Sequence, residues 1–178
     1  MAENRTKKLL VLDLDETLVH SSRNLLGEAD FQLFSFYVYV RPHFQDFLES
    51  LWGDYDIAVW SAAGTQYVEM IVAEIFPDPS RLKCVWSGSK CTWRADPESR
   101  SSYGVKKLKK LRALGYSLEN MVIVEDDPQK CEENYGNAIF VPCFYGDPED
   151  EALAKLAVLL HSLKDVENLR SVEKRGWQ

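Results

Sequence analysis

The sequence predicts an α/β fold: a doubly wound, mostly parallel sheet with a small β-hairpin flap, a short β insertion and no large cap domain. Three observations carry this reading. Apolar runs without polar alternation, at residues 9–12, 57–60, 121–124 and 138–141, read as strands buried on both faces, as in parallel sheets. Stretches with helical apolar spacing separate them, so the connections are right-handed crossovers. Three strands stop at polar clusters, Asp13/Asp15, Ser61 and Asp126/Asp127. Parallel strands deliver those clusters to one edge, the carboxyl end where open α/β sheets bind ligands.

The first strand spans residues 8–14. Residues 31–40, aromatic and β-branched, read as a strand or half of a hairpin, closed by Arg41-Pro42. Pro42 suits the first position of a helix, which needs no N–H. Phe44, Phe47, Leu48 and Leu51 continue at helical spacing towards Gly53. After the strand at 57–60, a helix carrying Tyr67, Val68, Ile71, Val72, Ile75 and Phe76 is stopped by Pro77 and Pro79. Residues 80–103 follow no helical period and include Trp86, Gly88, Trp93 and Pro97, so a small β excursion with a loop is expected. A helix should restart near Tyr103, with Val105, Leu108, Leu111 and Leu114 on one face and Gly115 as its stop. The strand at 121–124 runs into Glu125-Asp126-Asp127-Pro128. A short helix at 128–134, a strand at 138–141 and an amphipathic helix at 149–163 follow. Leu169, Val172 and Trp177 should pack the polar tail back on the core. With 178 residues, 46% of them hydrophobic, and no repeat or linker, one domain over 1–178 is expected, with 80–103 as a small insertion.

A formal net charge of −7 argues against a nucleic-acid or membrane-surface partner and leaves room for a cation-requiring site. No run approaches the ~18 apolar residues of a membrane span, and residues 1–8 hold no signal-peptide core before the first strand. The four cysteines (84, 91, 131, 143) form no C-x-x-C pair and the three histidines are scattered, against a structural zinc site. Free thiols in a reducing compartment are expected, hence a cytoplasmic protein, or a nuclear one in a eukaryote.

Asp13 and Asp15 repel each other and cost desolvation energy, which a divalent cation offsets. They could also simply cap the turn that follows. An EF-hand loop fails, since its sixth and twelfth positions would be Leu18 and Asn24. No P-loop pattern occurs.

Asp13-Leu-Asp15-Glu-Thr17-Leu-Val-His20 resembles the first motif of the haloacid dehalogenase superfamily, and more narrowly the FCP/SCP-type (NLI-interacting-factor-like) phosphatase domain. Further motifs follow in that family's order: Arg41-Pro42 with Phe44, Phe47 and Leu48; Trp60-Ser61-Ala62; Val85-Trp86-Ser87; Val105-Lys106; Asn134-Tyr-Gly-Asn137; and Glu173-Lys-Arg-Gly-Trp177. The resemblance implies a Mg²⁺-dependent phosphomonoester hydrolase working through an aspartyl-phosphate. Asp13 would be the nucleophile and Asp15 the general acid, then base. Ser61 and Lys106 would bind the phosphoryl group. Asp13, Asp15 through its backbone carbonyl, and Asp126 would hold Mg²⁺, with Glu125 and Asp127 as nearby alternatives. By residues alone, Lys106, Lys107, Lys109 and Lys110 form a solvated face; only the place after Val105 singles out Lys106, with Lys107 as the alternative. The chain departs from the usual pattern at Glu125, at Lys107, and after Ser87, where Lys90 could replace a missing arginine.

A phosphate dianion ~4 Å from one carboxylate meets roughly 4 kcal/mol of repulsion per unit charge pair at an effective dielectric near 20. A cation and a lysine together reverse that sign. Without a large cap the site should stay open, which suits a phosphorylated protein or peptide. The alternatives are a small-molecule phosphatase of the same mechanism and a non-catalytic phosphopeptide-binding scaffold.

Overall fold

The computed structural model describes residues 7–178 except 97 and 99. The readings of residues 1–6 and of Pro97 therefore lie outside the described residues. Along the chain run β1 (Lys8–Leu12), β2 (Val19–Ser22), β3 (Phe31–Leu33), β4 (Phe36–Val40), α1 (Phe44–Leu51), β5 (Tyr55–Trp60), α2 (Thr65–Ile75), β6 (Val85–Trp86), β7 (Thr92–Asp96), β8 (Ser101–Val105), β9 (Met121–Glu125), β10 (Ala138–Phe140) and α3 (Ala152–Leu163). Five strands form the central sheet in the order β10-β9-β1-β5-β6, all neighbours parallel.

Alternate residues of β1 face two separate cores. Leu10 and Leu12 pack with α1, α2 and α3; Leu9 and Val11 pack with Trp60, Leu108, Leu111, Met121 and Ile123. Both faces are dry, which is why β1 shows no polar alternation. Each fully buried leucine contributes roughly 1.5–3 kcal/mol. The expected return of the tail holds: Leu169 is buried, and Val172 and Trp177 pack against the first core.

Two expectations near the insertion are corrected. Val85 and Trp86 are not part of an excursion; they form the fifth strand of the central sheet, pairing with Val59 and Trp60. Two residues are too few to leave an apolar run. No helix restarts at Tyr103, because Ser101–Val105 pairs antiparallel with Thr92–Asp96. The segment that follows, Leu108–Leu114, is a 3-10 helix. Its leucines are spaced by three, the repeat of a helix with three residues per turn; Leu108 and Leu111 are buried while Leu114 is exposed. Gly115, at φ +93°, ends it as expected. The helix expected at 128–134 is likewise a 3-10 helix, Pro128–Cys131. A separate three-stranded antiparallel sheet, β2-β4-β3, makes the flap. Residues 31–40 supply a whole hairpin, turned at Phe34 (φ +54°), and Val19–Ser22 adds a strand that its polar residues concealed.

Arg41 fastens this flap to the body. It is 1% exposed and donates to both oxygens of Asp150 at 2.8 Å, to the Thr17 carbonyl at 3.0 Å and to the Pro142 carbonyl at 2.9 Å. Partial burial works against the Asp150 carboxylate, but Arg41 and the Ala152 N–H hold its carboxyl below the ordinary range. Asp150→Asn should therefore cost about 2–3 kcal/mol in urea denaturation at pH 7. Because the folded pKa is depressed, that contribution is complete above the unfolded value near ~4 and lost as pH falls through the folded one. Wild type and variant should converge in acid.

Candidate active site

Asp13 extends β1 by one residue, its N–H donating to the Val124 carbonyl at 3.1 Å. The chain then turns sharply: the Leu14 carbonyl accepts from the N–H groups of Thr17, Leu18 and Val19, with Glu16 at φ +60°. This turn holds Asp13 and Asp15 at the carboxyl edge of the sheet, beside the ends of β5 and β9.

Asp13 is 1% exposed. Lys106 Nζ engages its Oδ1; its Oδ2 is buried without a hydrogen-bond partner among the described residues. Lys106, itself fully buried, also donates to Glu125 Oε2 at 2.5 Å. Its main chain is fixed on both sides, N–H to the Lys130 carbonyl at 2.8 Å and C=O from Asn134 Nδ2 at 2.5 Å. The geometry separates the four lysines. Lys106 alone reaches Asp13; Lys107 and Lys109 pair with Glu133, and Lys110 donates to the Lys90 carbonyl.

Carboxylate oxygens of Asp13, Glu125 and Asp126 lie within 4.8 Å of one another. Glu125 is occupied on both sides: Oε2 by Lys106, Oε1 by Lys130 at 3.1 Å and by the N–H groups of Asp126 and Asp127. Asp126 Oδ1 accepts from Lys130 at 3.3 Å and Oδ2 from the Cys143 thiol at 3.3 Å. An all-oxygen set with an unsatisfied buried carboxylate oxygen fits a hard divalent cation such as Mg²⁺. Asp13 and Asp126 fit as its ligands better than Glu125, which would have to release a lysine. Asp127 caps the Pro128–Cys131 helix instead, accepting from the Gln129 N–H at 2.9 Å.

Asp15 faces elsewhere. Its Oδ2 accepts from Ser61 Oγ at 3.0 Å and its Oδ1 from the Tyr67 hydroxyl at 2.6 Å. Its carboxylate is thus outside the acidic trio, leaving the backbone carbonyl for a metal. Ser61 directs its proton to Asp15 and accepts from the Ala63 N–H at 2.9 Å. Lys90 lies over the Trp86 ring, 5.7 Å from its centroid.

Burial and the charge of Glu125 push Asp13 up, against the pull of Lys106 and Lys130. Burial, then Asp13's charge, push Asp15 up. Burial alone would lower Lys106 and Lys130, but the surrounding carboxylates hold both above the ordinary lysine range. Both lysines are therefore charged.

Sequence reasoning missed two contributors. Tyr67 shares the apolar spacing of α2, yet its hydroxyl links Asp15 to Ser21 Oγ, 2.7 Å away. Lys130 lies four residues after Asp126, one helical turn on, and that spacing was the available signal.

A parallel sheet with an aspartate pair beyond its central strand belongs to the haloacid dehalogenase class of folds. Among solved structures, the RNA polymerase II CTD phosphatase Fcp1 superposes with a TM-score of 0.69 at 13% identity, covering 90% of this chain and 63% of that one. A haloacid dehalogenase-like hydrolase from Xanthomonas campestris gives 0.58 at 12% identity, covering 89% and 96%. More narrowly, the chain belongs to the NLI interacting factor-like phosphatase family, whose model matches residues 8–170. A probable C-terminal domain small phosphatase of Dictyostelium discoideum is 32% identical over 173 residues, covering 93% of this chain and 53% of that protein. CTD nuclear envelope phosphatase 1B of Danio rerio is 29% identical over 189 residues, covering 97% and 74%. The chain spans about half the length of the first relative and three quarters of the second.

Hydrogen bonds from Tyr67 and Ser61 favour the charged form of Asp15. Tyr67→Phe removes one of them, so Asp15 should titrate at higher pH than in wild type, read by carboxyl ¹³C NMR.

Proposed function

We propose that residues 1–178 act as one domain that hydrolyses phosphomonoesters with Mg²⁺, through a phospho-aspartate on Asp13, on phosphorylated serine, threonine or tyrosine of a protein. The carrying observation is Asp13 itself: buried, held on one oxygen by Lys106 and unpartnered on the other, with a second, neutrally hydrogen-bonded aspartate two residues on.

The Asp13 carboxylate attacks phosphorus as the bond to the ester oxygen breaks, and Asp15 gives that oxygen its proton. Asp15, now charged, takes a proton from water as the water oxygen attacks the phospho-aspartate. The phosphorus–Asp13 bond breaks, releasing inorganic phosphate and restoring the carboxylate. Lys106 lies against the nucleophile and balances charge on the transferring group. Asp13, the Asp15 backbone carbonyl and Asp126 would hold Mg²⁺, which would supply further positive charge to offset that of the transferring group. Ser61 and Tyr67 hold Asp15 in position.

Two features support a protein substrate. The flap and the β7–β8 hairpin are short, leaving the edge without a large cap, and the relatives carry names of protein phosphatases. Among the described residues no helix is long and apolar enough to cross a membrane; we place the activity in the cytoplasm or nucleus.

Asp13→Asn should lower kcat on an aryl phosphate by at least about 10³-fold while the far-UV circular dichroism spectrum still shows a folded protein. Chelation should abolish wild-type turnover and Mg²⁺ restore it; full activity in chelator would overturn the metal assignment. Phosphopeptides should exceed sugar phosphates in kcat/KM by at least about 100-fold, and equal values would exclude a dedicated protein phosphatase.

A further inference from the structure

Lys130 has no assigned part in the reaction above. From the 3-10 helix Pro128–Cys131 its ammonium donates to Glu125 Oε1 and Asp126 Oδ1, with 19% of the side chain exposed. Asp126 is one of the two carboxylates suited to a cation, since Glu125 has a lysine on each oxygen whereas Asp126 has one on Oδ1 and only a thiol on Oδ2. The ammonium therefore holds an oxygen that a divalent ion would use, and its charge opposes the ion's.

The geometry points to Lys130 as a tethered competitor of the metal: a monovalent cation that neutralises Glu125 and Asp126 itself and so weakens Mg²⁺ binding at Asp13 and Asp126. This rests on the Mg²⁺ reading of the site. Lys130 has two effects of opposite sign. It orients Asp126, which favours the ion, and it repels the ion. The orienting contact is one 3.3 Å hydrogen bond on a side chain that reaches solvent, and such contacts are weak. The repulsion acts between a single and a double charge a few ångströms apart beside a buried cluster, where screening by salt is poor. Repulsion prevails. The consequence is a site whose occupancy follows the free Mg²⁺ concentration instead of saturating.

The test is calorimetric titration of Mg²⁺ into metal-stripped protein without substrate, for wild type, Lys130→Met, Lys130→Gln and Lys130→Arg, with circular dichroism to check each fold. Lys130→Gln retains a donor without the charge, so it reports repulsion apart from orientation. Both neutral variants should bind Mg²⁺ at least about tenfold more tightly, and Lys130→Arg as wild type. Unchanged or weaker binding by the folded neutral variants, with wild type binding normally, overturns the role of Lys130 alone. A wild-type protein that binds no Mg²⁺ overturns the metal reading as well.

Discussion

The contact between Lys106 and Asp13 is the constraint to which the rest of the site answers. Both groups are out of water, where an unpaired charge costs several kcal/mol. Neither can be removed alone without stranding the other. Glu125 extends the pair into a chain, Asp13–Lys106–Glu125–Lys130–Asp126, in which carboxylates and ammonium groups alternate. Such a chain is tolerable in low dielectric because each charge has an opposite neighbour at hydrogen-bond distance. The count is nevertheless uneven, three carboxylates against two lysines, and the shortfall coincides with the unpartnered oxygen of Asp13. A site short of positive charge at Asp13 suits something cationic or electrophilic.

The fold supplies this chain from distant places. Lys106 is 93 residues from Asp13 and arrives where β8 ends and the 3-10 helix begins. Asn134 grips that junction from both sides, accepting from the Leu108 N–H at 3.0 Å and donating to the Lys106 carbonyl. A regular helix starting at Tyr103 would have wound Lys106 into its first turn instead of leaving it at the end of a strand. The antiparallel pairing of β7 with β8 prevents this. Close packing contributes: a Cβ on Gly104 would lie 2.9 Å from Cys91 Cβ, so glycine lets the hairpin settle against its own base.

This also explains which parts of the molecule the sequence disclosed. Strands buried on both faces announce themselves, because nothing polar interrupts them, and β1, β5 and β9 were legible for that reason. The edge strand Val85–Trp86 was not, having only two residues, and Val19–Ser22 was hidden because three of its four residues are polar and only Val19 is fully buried. Val105 lies three residues before Leu108 and so continues the spacing of Leu108, Leu111 and Leu114, which makes the last residue of the strand read as helix. At the site, the motif order marked Asp13, Asp15, Ser61 and Lys106. Tyr67 escaped because a tyrosine at the start of an amphipathic helix looks like core; only its hydroxyl, reaching Asp15, distinguishes it. Lys130 escaped because a lysine after a proline-initiated turn looks solvated until the turn tightens to 3-10 and points it back at Asp126.

Asp13 and Asp15 show how one residue type can take two parts two positions apart. Both are buried, and burial pushes both carboxyls upward. Their neighbours then differ in kind. Asp13 has formal cations, Lys106 in contact and Lys130 beyond it, which pull its carboxyl down against burial and the charge of Glu125. Asp15 has only neutral hydroxyl donors, Ser61 and Tyr67, and feels the charge of Asp13 as repulsion. Neutral donors fix an orientation without forcing ionisation, which suits the acid and base part proposed for Asp15. Two residues apart on a strand, the aspartates would share one face; the turn at Leu14 instead gives them different neighbours at the same edge. It is the lysine on one side and the tyrosine on the other that make them chemically unlike.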